Sequence, residues 1–229
     1  MGGLTPEDLG VVLLSLKVAT VATLGALPLA FAAAYALARG RFPGRALLDA
    51  AVHLPLVLPP VATGYALLLL LGRQGLLGEP LSRLGIALAF DWTGAALAAA
   101  VMAFPLMVRP IRLSIEAAPP HADQAARTLG AGWWSRLGRV TLPLALPGIA
   151  AGAVLGFAKA LGEFGATITF AAAIPGLSLT LPSAIYQAIQ TPGGEQRAAA
   201  LCLLAAGIAI AAVMGADALT RWALTRVGK

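Results

Sequence analysis

Lys159 and Glu163 are the only charged residues between Pro143 and Ala172, a stretch that is otherwise almost entirely apolar. They are four residues apart, a spacing that puts them on one face of a helix and within reach of an ion pair. If the stretch crosses a membrane, each charge costs ~2.5–3.5 kcal/mol at mid-bilayer, so both should face protein or water. The pair therefore indicates either a polar path or gate, or a contact that locks helices within one chain or across a dimer.

Hydroxyl groups follow the charged pair, and such groups can line a polar passage without adding a fixed charge to it. The same side chains often bond helix carbonyls instead, and for any single one that role is favoured. The residues are Thr167, Thr169, Ser178, Thr180 and Ser183.

The sequence lacks the residues of an enzyme active site, a nucleotide-binding loop or a metal site. The only lysines are Lys17, Lys159 and Lys229, and none precedes Ser or Thr as a phosphate-binding loop requires. Cys202 is the only cysteine, and neither histidine, His53 nor His121, lies in a recognisable motif. We therefore expect no catalytic residue, cofactor or metal in this chain.

The composition predicts an all-α integral membrane protein. Of 229 residues, 59% are hydrophobic and 11% charged, whereas soluble domains carry about 25% charged residues. The mean hydropathy is +0.85. Apolar runs long enough to cross ~30 Å of hydrocarbon predict about five spans. They cover roughly 11–38, 48–71, 94–115, 143 or 147–172, and 198–219.

One further segment, Ile174 to Gln190, is interrupted by Pro175, Gly176 and Pro182. Since unpaired backbone groups are not tolerated facing lipid, this segment is predicted to be an outer loop with a short or re-entrant helix.

The basic residues orient the spans. Eleven of the 16 Lys and Arg residues fall in three alternate connections, which predicts a cytoplasmic C-terminus and an N-terminus outside. Because topology accounts for the charge, nucleic-acid binding is not expected. The eleven are Arg39, Arg41, Arg45, Arg109, Arg112, Arg127, Arg136, Arg139, Arg221, Arg226 and Lys229.

The longest inner connection, about 116–143, has a helical pattern of its own. Ala125, Ala126, Leu129, Trp133 and Leu137 recur at spacings of three and four, which predicts a short helix with an apolar stripe. Gly130 and Gly132 are expected to bend it. The residues alone allow two interpretations, a helix lying on lipid headgroups or a helix that docks into a partner protein.

This connection resembles the cytoplasmic motif of ATP-binding-cassette (ABC) importer permeases, which reads E-A-A, three residues, G, nine residues, I-x-L-P. The matching residues are Gln124, Ala125, Ala126, Gly130, Val140, Leu142 and Pro143, with Gln for Glu and Val for Ile. The resemblance implies a coupling helix that docks in a cleft of a separate ATPase subunit. Arg127, Leu129 and Trp133, which lie inside the motif, are assigned to the same docking segment.

Three more stretches resemble the permeases of molybdate importers: FPGRALLDAAVHLPLVLPPVATGYALLLLLG (42–72), ALGEFGAT (160–167) and LTLPSAIY (179–186). Sulfate and thiosulfate permeases share the GEFG element. The resemblance implies the type I ABC importer permease fold in a single domain, 1–229, with a core of about 11–220. It adds Phe164 and Gly165 to Lys159, Glu163 and Thr167 as candidate path or gate residues.

The same resemblance implies an assembly in the inner membrane of a bacterium. Its parts would be a homodimer of this chain, two ATPase subunits and a soluble substrate-binding protein, with molybdate or tungstate as cargo and sulfate as the alternative. An ion-coupled secondary transporter is a second hypothesis, but it leaves the docking motif unexplained and would favour internal repeats that this sequence lacks.

Overall fold

The computed structural model describes residues 6–227, with only the backbone at 120, 121, 213 and 216–227. The basic residue Lys229 and the side chains of Arg221 and Arg226 therefore lie outside the described part. Every regular element within that part is helical. The helices are α1 Pro6–Arg39, α2 Arg45–Val57, α3 Pro60–Leu71, α4 Gly78–Arg83, α5 Trp92–Ala117, α6 Pro120–Thr128, α7 Trp133–Arg136, α8 Leu142–Leu161, α9 Gly165–Ala171, α10 Leu181–Gln190 and α11 Glu195–Val227.

Four helices in the described residues are long and apolar enough to cross a membrane. They are Pro6–Arg39, Trp92–Ala117, Trp133–Leu161 and Glu195–Ala212. A fifth crossing exists only if α2 and α3 together form one span. The all-α fold and the count of about five spans are confirmed, but two of the predicted spans have the wrong shape.

The second predicted span, 48–71, is not one helix. α2 and α3 are bent by 115° relative to each other at residues 58 and 59. Leu58 is extended, with φ −72° and ψ 143°, because the Pro59 ring disfavours the helical region for the residue before it. Pro60 then has no N–H to continue the α2 ladder and suits the first turn of α3.

The fourth predicted span begins earlier and ends earlier than expected. It starts at Trp133 rather than at Pro143 or Pro147, since a π-helical turn at Leu137–Thr141 joins α7 to α8. This turn directly precedes Pro143, whose missing N–H removes one bond of a regular α-helical ladder. The helix ends at Leu161, and the separate helix α9 follows after a break at 162–164.

The loop and short helix predicted for Ile174–Gln190 are both present. Residues 172–180 form a turn with Gly176 at φ 75°, and α10 follows. The Leu181 N–H donates to Ser15 Oγ of α1 at 2.7 Å, which ties the start of α10 to the first span.

The core lies where α1, α5 and α8 meet, and small side chains allow the close approach. Ala30, Ala34 and Ala103 are completely buried. A Cβ atom on Gly148 would lie 2.5 Å from the Pro110 carbonyl oxygen, and one on Gly152 would lie 2.9 Å from the Met107 carbonyl oxygen. Such contacts are typical of membrane helices, which associate by van der Waals packing of small residues.

Polar contacts join neighbouring helices at both ends of the spans. At one end Arg39 Nη2 donates to the Ile115 carbonyl at 3.3 Å, and Arg112 on α5 pairs with Asp49 on α2 at 3.1 Å. At the other end Arg197 on α11 pairs with Asp8 on α1 at 2.7 Å. Arg39 and Arg112, two of the residues predicted to be cytoplasmic, thus lie at the same end of the molecule, while the direction in which that end faces stays a prediction.

Candidate functional site

The inner connection folds as two helical pieces with a sharp turn between them. α6 ends at Thr128, and the turn is closed by N–H groups of Gly130 and Ala131, which donate to the carbonyls of Arg127 and Ala126 at 2.9 Å. Gly130 has φ 78°, a left-handed conformation that other residues adopt at a cost. The bend predicted at Gly130 and Gly132 is therefore present, and it depends on Gly130 in particular, since Gly132 has φ −66°.

A carboxylate holds the two pieces together. Arg136 Nη1 on α7 donates to both carboxylate oxygens of Asp123 on α6, at 2.9 and 3.0 Å, and Arg127 Nε donates to Asp123 Oδ2 at 3.0 Å. The Arg136 side chain is only 13% exposed. Asp123 was not predicted as a site residue. Its i, i+4 spacing to Arg127 is visible in the sequence, but its contact with Arg136 across the bend is not.

Trp133 packs against the first span. Its ring meets Tyr35 of α1 edge-on, with centroids 6.4 Å apart, and the neighbouring Trp134 at 4.4 Å. The predicted apolar stripe is therefore not one buried face, since Trp133 contacts α1 while Leu129 is 87% exposed.

The remaining motif residues form an open surface of the single chain. Gln124, Ala125 and Arg127 are exposed on α6, and Ala126 is half-buried. Val140 lies in the π-helical turn, and Leu142 and Pro143 are exposed at the start of α8. The structure thus places Gln124, Ala125, Arg127 and Leu129 at the solvent-facing turn of a rigidly held helix pair. We keep the name docking segment for this region, which comprises α6, the turn, α7 and the motif residues that follow as far as Pro143.

Lys159 and Glu163 form the predicted ion pair, although they are not on one continuous helix. Lys159 lies in the last turn of α8 and Glu163 in the break that follows, with Nζ and Oε2 2.5 Å apart. Glu163 Oε1 accepts the Ala166 N–H at 3.0 Å, so the carboxylate also satisfies a free N–H at the start of α9. The Glu163 side chain is 1% exposed and that of Lys159 30%. The pair fixes the geometry of the break within the chain.

Most of the hydroxyls that follow bond the backbone locally. Thr167 Oγ1 lies 2.9 Å from the Phe164 carbonyl and 3.1 Å from that of Glu163, and Thr169 bonds Gly165 at 2.8 Å. Ser178 donates to Ala171 at 2.8 Å. These three hydroxyls therefore bond helix and turn carbonyls, whereas Thr180 and Ser183 lie 3.2 Å from each other, hydroxyl to hydroxyl.

Thr63 on α3 differs, and the sequence analysis did not select it. Its hydroxyl is buried and has no hydrogen-bond partner among the described residues. No sequence signal marks it, because its burial arises only when α3 packs against α9.

The two helix breaks lie against each other. A Cβ atom on Gly165 would come within 2.7 Å of Pro60 Cβ, and one on Gly64 would come within 2.6 Å of the Ala166 carbonyl oxygen. Beside them the rings of Phe164 and Tyr186 pack at a centroid distance of 5.0 Å, with Tyr186 47% exposed. Gly165 is therefore needed for close packing, and Phe164 presents an aromatic ring next to the break.

The described residues contain no group of three or more His, Cys, Asp or Glu side chains arranged to hold a metal ion.

Residues 26–229 match a protein family described as the binding-protein-dependent transport system inner membrane component. The chain is 54% identical over 227 residues to the molybdenum transport system permease protein of Escherichia coli (strain K12), covering 99% of each chain. It is 48% identical to the protein of the same name from Haemophilus influenzae, covering 97% of this chain and 96% of that one. The sulfate transport system permease of Synechococcus elongatus is 41% identical over 69% of this chain.

The fold is similar to that of a solved bacterial ABC transporter involved in the import of the acidic polysaccharide alginate. The TM-score is 0.76 at 18% identity, over 95% of this chain and 80% of that one. At this identity the likeness shows the fold alone.

Proposed function

The chain belongs to the family of binding-protein-dependent transport system inner membrane components and is an ABC importer permease, and we propose that its cargo is molybdate. It is a multi-pass protein of the bacterial inner membrane. The observation that carries the cargo assignment is the 54% identity to a molybdenum permease along the full length of both chains. The sulfate relative matches a smaller part of this chain at lower identity, so sulfate is the second candidate.

The partners follow from the family and from the open docking segment. A binding-protein-dependent system includes a soluble protein that delivers the substrate, and an ABC permease works with ATPase subunits. We infer an assembly of two copies of this chain, two ATPase subunits and one binding protein. The chain itself is a non-catalytic subunit, and ATP is hydrolysed by its partner.

The docking segment is suited to transmitting ATPase movement to the spans. Asp123 ties α6 to α7, and α7 continues without a break into the long helix that ends at Leu161. Trp133 rests on Tyr35 of α1. A displacement of α6 by the ATPase would therefore move α8 and α1 together. The reason is that α6 is joined to α7 by a salt bridge, and α7 is joined to α1 by an aromatic contact, so no flexible loop absorbs the movement.

The far end of that long helix meets the proposed gate. Lys159 closes α8, and its pairing with Glu163 sets the position of α9 and of Phe164. Since Glu163 is neutralised within the chain, it would not repel an anionic cargo. The partly exposed Lys159 is itself neutralised by Glu163, so the pair would not hold a dianion too tightly for passage. We assign five residues to the gate: Lys159, Glu163, Phe164, Gly165 and Thr167. Within it, Glu163, Gly165 and Thr167 support Lys159 and Phe164.

Uptake by the reconstituted complex tests the cargo. Vesicles holding the permease, its ATPase and its binding protein should accumulate labelled molybdate only with ATP. Excess unlabelled molybdate should suppress that uptake more strongly than sulfate, and tungstate is tested beside them because all three are tetrahedral dianions. Labelled sulfate uptake that molybdate does not suppress would reject the molybdate assignment and leave the permease assignment intact.

A further inference from the structure

Lys17 is a cation in the first span that no carboxylate neutralises among the described residues. Its Nζ lies 3.4 Å from the centroid of the Trp92 ring, a close cation–π contact between α1 and the first residue of α5. Lys17 makes no ion pair in the described part of the chain, although eight such pairs occur there. The side chain is exposed on the surface of the single chain.

Distances along the helices place this contact at a membrane interface. No charged residue lies between Lys17 and Arg39 on α1, and these 22 residues span about 33 Å at 1.5 Å per residue. That length matches the ~30 Å hydrocarbon core. Trp92 is a residue type enriched at headgroup level. Lys17 and Trp92 therefore lie at the interface opposite Arg39.

An apolar groove runs from this contact toward the middle of the membrane. It has a volume of about 640 Å³ and lies between α1, α2 and α5, with Trp92 at one end and Phe104 at the other. These twelve residues of α5 correspond to about 18 Å, close to the depth of one leaflet's hydrocarbon. Thr93 is the one hydroxyl in the lining, and it already donates to Asp91 at 2.8 Å.

We propose that this groove is a phospholipid-binding site, with an acyl chain between α1, α2 and α5 and the lipid phosphate on Lys17. The chemistry matches at both ends, since an apolar channel accepts a hydrocarbon chain and an unneutralised ammonium at headgroup level attracts a phosphate. The site holds α2 against α1 and α5, next to the bend that leads into α3.

Charge favours a lipid over a second copy of this chain as the occupant. A second copy would have to bring a carboxylate to the depth of Lys17, and three of the carboxylates at this end are engaged within their own chain. Asp8 pairs with Arg197, Glu79 with Arg83, and Asp91 caps α5. The exposed Glu7 and Glu195 lie beside Asp8 and near its partner Arg197, and Asp8 is nine residues, or about 14 Å, from Lys17 along α1. A phospholipid is present at this depth in any membrane and carries both required groups.

The chain offers matched variants for the test. A Cβ on Gly25 would meet no atom within 4 Å, and Gly25 lines the groove, so Gly25→Leu fills the space without a clash. Gly207 on α11 also has no atom within 4 Å and lies outside the groove, so Gly207→Leu is its control. Lys17→Gln removes the charge, and Lys17→Arg keeps it.

The measurement is the number of phospholipids that native mass spectrometry finds on the detergent-purified complex. Wild type, Gly207→Leu and Lys17→Arg should retain one bound lipid per permease. Gly25→Leu should lose it, and Lys17→Gln should retain it about fivefold less, the effect expected of one Lys near a phosphate surface. Equal lipid occupancy in Lys17→Gln and wild type would overturn the proposal. Because Lys17→Gln is compared directly with wild type, the proposal stays testable even if Gly25→Leu fails to fold.

A photo-reactive side chain at position 25 identifies the occupant directly. Irradiation of the complex in native membranes should give a permease carrying the mass of a phospholipid. A permease cross-linked to a second permease would show that a protein face covers the groove and would overturn the lipid assignment.

Discussion

Asp123 and Arg136 are 13 residues apart in the chain, yet Arg136 Nη1 contacts both carboxylate oxygens of Asp123, at 2.9 and 3.0 Å. This salt bridge crosses the turn at Gly130 and makes α6 and α7 one rigid unit. Arg136 Nε is buried without a partner of its own among the described residues, so the guanidinium depends on this carboxylate.

Replacing Asp123 should loosen the docking segment. Asp123→Ala leaves the largely buried Arg136 without a counter-charge, at a local cost of about 1–3 kcal/mol. We expect recovery of the ATPase subunit with the purified permease to fall several-fold while insertion and dimerisation continue. Glu79→Ala, which breaks the exposed pair with Arg83 on α4, is the matched control and should leave recovery unchanged. If the two variants behave alike, the salt bridge has no role in docking.

The Lys159–Glu163 pair should show strong coupling between its members. Lys159→Ala leaves a 1% exposed carboxylate with only the Ala166 N–H, and breaking such a pair costs about 3–5 kcal/mol when both partners are buried. Because Lys159 is 30% exposed, we expect the lower part of that range. The double variant Lys159→Met with Glu163→Gln should regain folded yield relative to Lys159→Ala.

The readout for this pair is the monodisperse fraction of detergent-purified permease, with uptake measured beside it. A monodisperse fraction in the double variant no higher than in Lys159→Ala would mean that the two residues act separately and that the pair does not set the break.

Close packing of α5 and α8 should make Gly148 intolerant of any larger residue. A Cβ there would lie 2.5 Å from both the Pro110 carbonyl oxygen and the Ser114 Cβ atom, so Gly148→Leu forces the helices apart. Overpacking costs about 1–3 kcal/mol or more. The thermal midpoint of the purified permease should drop clearly. Gly207→Leu, with open space around position 207, should keep the wild-type midpoint, and an equal drop there would show a general effect of leucine.

The direction of the spans can be tested with reporters. An enzymatic reporter active only in the cytoplasm should be active after Lys229 and inactive near Glu79. This expectation follows from the basic residues that gather at the Arg39 end of the molecule. Activity at both positions would contradict the three crossings, by α5, by α7 with α8, and by α11, that separate Glu79 from the C-terminal end.

Local sequence features predicted the long spans and the bend of the docking segment. The long apolar run from Val11 to Ala38, with Lys17 as its one charge, predicts α1 because it needs no tertiary partner to cross a bilayer. Gly130 is predicted because few other residues adopt its conformation. The break after Leu161 was missed, since the only charged residues of the run, Lys159 and Glu163, have the spacing of one continuous helix. It exists because Glu163 caps α9 and Gly165 packs on Pro60.

Contacts between distant segments account for the other misses. Asp123 with Arg136 and Lys17 with Trp92 join residues that no periodicity connects. The orphan hydroxyl of Thr63 is a product of packing alone. The sequence predicted which residues belong to the candidate site, whereas the salt bridges and ring contacts that position them are visible only in the structure.

We propose that the docking segment couples this permease to an ATPase, and Gly130 offers the sharpest test of that coupling. A Cβ atom at position 130 would meet no atom within 4 Å, so a substitution acts through the left-handed backbone and the exposed surface rather than through a clash at the Cβ. Gly130→Trp adds bulk to the contact as well as strain. Gly132→Ala, at φ −66° with equally open space, is the matched control.

The deciding measurement is recovery of the ATPase subunit, together with ATP-driven uptake, at equal membrane levels of wild-type, Gly130→Trp and Gly132→Ala permease. We predict that Gly130→Trp abolishes uptake and strongly lowers ATPase recovery while it still inserts and dimerises, and that Gly132→Ala matches wild type. A helix that merely lies on lipid headgroups would accept tryptophan readily. Unchanged ATPase recovery with unchanged uptake in Gly130→Trp would contradict the docking assignment.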